Sequence, residues 1–258
     1  MLLGSEERQE LEPSEVERFT KPHMSRQDID GLLSFRSRNI EYYRQAFVHK
    51  SILRILTNLP KENVPKYMMA SNERMEFLGD SILSGITAMY LYERFPDKDE
   101  GFLTKTRSKL VDTRALSGYA RKLEMGQFLL MSRRLIKLDG ANKDKMLENC
   151  MEALIGAIYL DLGIEHATVF VHNLFNKHTN WSEVLTDTNY KDQLLKYCHA
   201  QGVELPIYEI VSTDGPSHNK TFTVRVIVRD QDVGTGVAKR KGDAEQMAAN
   251  MAITMFQM

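Results

Sequence analysis

The chain has 258 residues, room for one large domain or two small ones, and its 42% hydrophobic and 27% charged content excludes wholesale disorder. Thirty-four basic residues meet thirty-five acidic ones, a net charge of -1 that argues against gripping nucleic acid by bulk charge. The two cysteines, Cys150 and Cys198, form no CxxC pair, the seven histidines form no HExxH, and no GxxxxGK[ST] loop occurs, which disfavours zinc sites and a phosphate loop.

Residues 1–24 carry six glutamates (Glu6, Glu7, Glu10, Glu12, Glu15, Glu17) with few large apolar residues, and read as a mobile acidic arm. Met1-Leu2-Leu3 is too short an apolar run for a signal peptide, and no stretch approaches the roughly 20 apolar residues that span a bilayer. An intracellular, cytoplasmic protein with reduced thiols and no membrane partner is the expectation.

Residues 25–182 have a helical pattern. The runs Ser81–Leu91 and Ala153–Leu160 are apolar nearly all round, which predicts helices at the centre of a bundle. Residues 58–65 read as a loop. A polar linker is expected at 183–187. Residues 188–258 then predict a small domain of order α-β-β-β-α. In it, Phe222, Val224, Val226 and Val228 alternate with polar residues. Gly234-Thr235-Gly236 reads as a turn. Ala244, Met247, Ala248, Met251, Ala252 and Met255 form a stripe at helical spacing that is expected to be core.

Two acidic segments precede the apolar runs. Glu73, Glu76 and Asp80 stand three and four residues apart, so they share one helix face; Asn149 and Glu152 share another. Solvated helix faces would explain such acids anywhere else. Here the adjoining turns look buried, and an acidic stripe at their mouth needs a compensating partner. No Lys or Arg is spaced to neutralise all of Glu76, Asp80 and Glu152. A hard divalent cation would do so, and all-oxygen donors favour Mg²⁺ or Mn²⁺ over zinc.

The segment Asn72-Glu73-Arg74-Met75-Glu76-Phe77-Leu78-Gly79-Asp80-Ser81 resembles the signature of the ribonuclease III family. Ala46–Ser51, Glu100–Thr104 and Glu152–Ala157 resemble its other motifs in the expected order, so the resemblance covers most of residues 30–165. It implies an all-helical nuclease domain followed by a small α+β RNA-binding domain, in a homodimer that cuts double-stranded RNA with Mg²⁺, for which Mn²⁺ can substitute. It further implies Glu76, Asp80, Asn149 and Glu152 as the metal positions, Asp80 and Glu152 as catalytic, and Glu73 and Glu100 as outer carboxylates. Position 149 departs from the family, which usually carries Asp there. An amide oxygen can ligate Mg²⁺ but brings no charge, so the expectation is a site that holds metal less tightly, or one that leans on Glu148, Glu73 or Glu100, with activity retained but weakened.

The C-terminal unit resembles the double-stranded RNA-binding domain through Pro206-Ile207-Tyr208, Gly215–His218, Phe222, Gly234–Gly236 and Lys241–Glu245. That resemblance implies RNA contacts from Lys191, Gln193, His218, Lys239, Arg240 and Lys241. The basic triplet stands at a helix start, where free N–H groups and the helix dipole also favour phosphate. The alternative is a duplex-binding protein that sequesters RNA without cutting it. A hydrolase of small nucleotides is the third reading, and the C-terminal module speaks against it.

Overall fold

A computed structural model of the chain describes residues 23–57, 59–217 and 219–256. The expected acidic arm therefore lies, apart from His23 and Met24, outside the described residues, and so does His218. Met24 is buried in the core of the unit that follows. Two compact units divide between Val184 and Leu185.

The first unit is helical: α1 (Arg26–Leu33), α2 (Ile40–Ala46), α3 (Leu53–Leu56), α4 (Glu73–Arg94), α5 (Glu100–Val111), α6 (Thr113–Lys122), α7 (Arg133–Lys137), α8 (Asp144–Leu162) and α9 (Ile164–His178). A further short helix, α10 (Trp181–Leu185), takes in the first residues of the expected linker. The starts are chemically marked. Ser25 and Asp28 form a capping box on α1, and the Asp99 and Asp112 side chains accept from the Phe102 and Ala115 amides to cap α5 and α6. The α8 helix stops at Gly163, whose φ of +85° suits glycine.

The centre of the unit is α8, in which every residue from Cys150 to Ile158 is buried, as its apolar run predicts. The other apolar run behaves differently. The α4 helix buries Met75, Gly79, Leu83, Ile86, Thr87, Tyr90 and Leu91 but leaves Phe77, Met89 and Tyr92 exposed, so it has an open apolar face and is not surrounded. The two helices meet backbone to backbone. A Cβ on Gly79 would lie 1.7 Å from the Glu152 carbonyl oxygen, and one on Gly156 would lie 2.4 Å from that of Met75. Glycine at both positions is what lets the acidic ends of α4 and α8 come together.

The second unit contains α11 (Tyr190–Ala200), an antiparallel sheet of order β1-β2-β3 (Ile207–Asp214, Thr221–Val228, Gln231–Ala238) and α12 (Lys241–Phe256). Val224, Val226 and Val228 are buried, as the alternation predicts. Arg229 and Asp230, with φ of 54° and 58°, make the tight turn between β2 and β3.

Two expectations are corrected here. Gly234-Thr235-Gly236 is not a turn; it lies inside β3. A Cβ on Gly236 would meet the Ala244 carbonyl oxygen at 2.1 Å, and one on Gly234 would meet that of Ala248 at 2.4 Å. Because α12 rides so close to β3, only alanines fit beneath it. Ala244, Ala248 and Ala252 are buried, while Met247, Met251 and Met255 are displaced to the flank and more than half exposed. No helix among the described residues is long and apolar enough to cross a membrane.

Candidate active site and nucleic-acid interface

The first turns of α4 carry Glu73, Glu76 and Asp80, and the middle of α8 carries Glu148, Asn149 and Glu152. Glu152 is only 7% exposed, and among the described residues no hydrogen bond or ion pair reaches its carboxylate. Burial, followed by the charges of Glu148 and Asp80, pushes its pKa up to about 7, with Lys145 opposing and Glu76 adding to the rise. Burial also raises Glu76, which feels Lys145, Glu73 and Glu148. Thus Glu76, Asp80, Glu148 and Glu152 form one electrostatic neighbourhood. The Oδ1 of Asn149 is buried with no hydrogen-bond partner.

The two outer carboxylates are placed differently. Glu73 is exposed, ion-paired to Lys50 Nζ at 2.8 Å and bonded by the Ser71 hydroxyl at 3.1 Å; these bonds hold its pKa below the usual carboxylate value. Glu100 opens α5, accepts a hydrogen bond from the Thr104 hydroxyl, and is not among the charges that act on Glu76 or Glu152.

Glu148 and Lys145 are the residues that spacing alone underrated. Glu148 is 7% exposed, its Oε1 accepts from the Thr113 hydroxyl at 3.1 Å, and its Oε2 is 3.0 Å from Lys145 Nζ. The sequence signal was present: Glu148 and Glu152 are four apart, and Lys145 and Glu148 three apart, on one helix.

The donor chemistry suits a hard divalent cation. It is all oxygen, it includes a buried carboxylate without a partner, and it includes an orphaned amide oxygen. Among the described residues, however, no three Asp, Glu, His or Cys side chains converge closely enough to hold an ion as they stand. Four like charges repel, so the carboxylates have reason to stay apart until a cation draws them in.

In the second unit, Lys239 and Arg240 are exposed just before α12, and Lys241 is its first residue. Lys239 Nζ bonds Asn219 Oδ1 at 2.8 Å, and Lys241 stands 3.6 Å from Glu245. Lys191 has partners within the unit. Its ammonium pairs with Glu245 and lies 4.6 Å from the Tyr208 ring centroid, so it ties α11 to α12 and the sheet. Gln193 Nε2 donates to the Asp187 carbonyl at 2.7 Å.

Residues 39–178 match the family model described as ribonuclease-III-like, and residues 190–255 match that of the double-stranded RNA binding motif. The putative protein A464R of Paramecium bursaria Chlorella virus 1 is 37% identical over 230 residues, spanning 89% of this chain and 78% of that protein. The Ribonuclease 3 of Chlorobaculum tepidum is 35% identical over 239 residues, 92% of this chain and 84% of the relative. The Ribonuclease 3 of Magnetococcus marinus reaches 43% identity over 186 residues, 72% and 76% of the two chains. Among solved structures, the nuclease domain of Campylobacter jejuni ribonuclease III is similar with a TM-score of 0.51 and 31% identity, covering 59% of this chain and 97% of that domain. With one family model matched across the first unit and the other across the second, and with relatives named Ribonuclease 3 at 35% and 43% identity, the chain belongs to the ribonuclease III family of endoribonucleases.

Proposed function

We propose that the protein cuts double-stranded RNA by metal-dependent hydrolysis in RNA processing, with Mg²⁺ as the natural ion and Mn²⁺ as a substitute. Water is the nucleophile at phosphorus, and the P–O3′ bond breaks, which leaves 5′-phosphate and 3′-hydroxyl ends. Glu76, Asp80, Asn149 and Glu152 would hold the ion. When bound, it would supply Lewis-acid polarisation of the phosphate and a more acidic bound water. The chain's own part is to keep the partly buried acids of α4 and α8 close to one another, through Gly79 and Gly156 at the crossing. The observation that carries this reading is Glu152, a buried carboxylate with no partner among three other acids.

The duplex would be held by Lys239, Arg240 and Lys241 at the start of α12. Phosphates flanking the major groove are the accessible anions of A-form RNA, and a helix N-terminus adds to their attraction. His218 keeps the minor-groove role that the resemblance implies. The open face of α4 supports a homodimer. Phe77 is 77% exposed and Tyr92 73%, with Met89 on the same side. A two-fold, self-complementary interface would cover such a face on both copies. A region of the Campylobacter jejuni nuclease domain takes part in dimer formation.

Cleavage of a long RNA duplex in Mg²⁺, compared between wild type and Glu152→Ala, tests the reading; duplex binding is measured in parallel. A wild type that binds the duplex but cuts no faster than the variant favours the sequestering alternative, for which the uncharged Asn149 is the one supporting residue.

A further inference from the structure

The position where the family carries an aspartate holds Asn149, so the chain is one negative charge short at that donor. Its neighbour Glu148 is an acid on the same helix, four residues before Glu152 and therefore on its face. Glu148 is almost fully buried, an expensive place for a carboxylate that serves only solubility. One oxygen, Oε1, is held by the Thr113 hydroxyl from α6. The other, Oε2, has no hydrogen bond and is faced by Lys145 Nζ at 3.0 Å. The Lys145 side chain is 68% exposed, so it can swing into solvent at little cost. The field of this lysine reaches Glu76 and Glu152 as well as Glu148.

We propose that Glu148 supplies the negative charge that Asn149 cannot, as an additional carboxylate of the divalent-cation site, and that Lys145 is a tethered cation holding Glu148 until the ion displaces it. The inference rests on reading the cluster as a metal site. It accounts for three observations together: a carboxylate buried beside Glu152, an Oε2 that accepts no hydrogen bond, and a flexible cation set against that oxygen. It also gives the metal-free site a partial counter-charge, since Lys145 opposes the rise in Glu152 and Glu76. On binding, the ion would exchange an ion pair whose lysine is exposed for a stronger one. The Lys145 pairing then acts as a competitor and sets the metal concentration at which the site fills.

The test is direct Mn²⁺ binding to the full chain, followed by the loss of the free-Mn²⁺ paramagnetic resonance signal. It compares wild type with Glu148→Gln, Lys145→Met and Glu152→Gln, each checked for an intact melting transition without metal. Glu148→Gln keeps the Thr113 contact and should weaken binding by about tenfold or more, the scale of a lost charge at a metal site. Lys145→Met should tighten binding by about threefold, the scale of one exposed ion pair removed from competition. If Glu148→Gln overlays the wild type while Glu152→Gln loses binding, Glu148 is no part of the site and the inference is overturned. If Lys145→Met leaves the affinity unchanged, the competing role of Lys145 is overturned. If Glu152→Gln also binds as the wild type does, the metal reading itself fails.

Discussion

Glu152 is the residue on which the proposed chemistry turns most, and its environment has a measurable consequence without RNA. Its pKa is raised by burial and by its acidic neighbours, so the metal-free fold prefers it protonated. The stability it contributes is full below its ordinary carboxylate value and is lost as pH rises through about 7. The melting temperature of metal-free protein should therefore fall between about pH 5 and pH 8 in a way that Glu152→Gln flattens. Parallel curves for the two proteins would mean that Glu152 is better solvated than its burial implies. At the RNA-binding unit the relevant residue is Lys241, exposed at a helix start. Lys241→Ala should weaken duplex binding and reduce the slope of log affinity against log salt by about one unit. An unchanged slope would remove Lys241 from the phosphate contacts.

Helix crossing is the element-scale cause of the site, and glycine is the cause of the crossing. Gly79→Ala would drive a methyl group into the Glu152 carbonyl oxygen on the facing helix. It should cost at least about 1–3 kcal/mol in denaturant unfolding and disturb the acids on both sides. Gly118→Ala is the matched control. A Cβ there meets nothing within 4 Å on α6, and the change should stabilise by about 0.5–1 kcal/mol. Equal effects of the two changes would show that the α4–α8 contact tolerates separation. The same logic separates what could be read from sequence. Residue spacing placed Glu76 and Asp80 on one helix face and Asn149 and Glu152 on another, because i,i+3 and i,i+4 neighbours follow from helix geometry alone. Spacing could not show that Gly234 and Gly236 seat α12 so close to β3 that Met247, Met251 and Met255 are pushed outward. That depends on backbone separation, which periodicity does not encode. The i,i+3 spacing of Lys145 and Glu148 was legible, but that the charge of Lys145 also bears on Glu76 across the crossing depends on the packing of α8 against α4.

For the whole molecule, the net charge of -1 obscures a division of labour. The acids of the nuclease unit include four, Glu76, Asp80, Glu148 and Glu152, that share one electrostatic neighbourhood, while Lys239, Arg240 and Lys241 stand together at one helix start in the other unit. The proposed dimer rests on the apolar face of α4. Phe77→Asp should convert the proposed dimer into a monomer in sedimentation, because it places a charge at the most exposed apolar side chain of that face. A variant that sediments as the wild type does would move the dimer contact elsewhere. The family resemblance anticipated a helical nuclease unit and an α-β-β-β-α RNA module, since its motifs are local runs of sequence that pin whole elements. Cleavage of a long RNA duplex by the full chain in Mg²⁺, with wild type and Glu152→Gln compared at equal duplex binding, bears most directly on the function. The wild type should cut, and the variant should bind equally well while cutting at least about a hundredfold more slowly, the scale of a lost metal contact. Equal rates at equal binding would contradict a cutting site at the α4–α8 crossing.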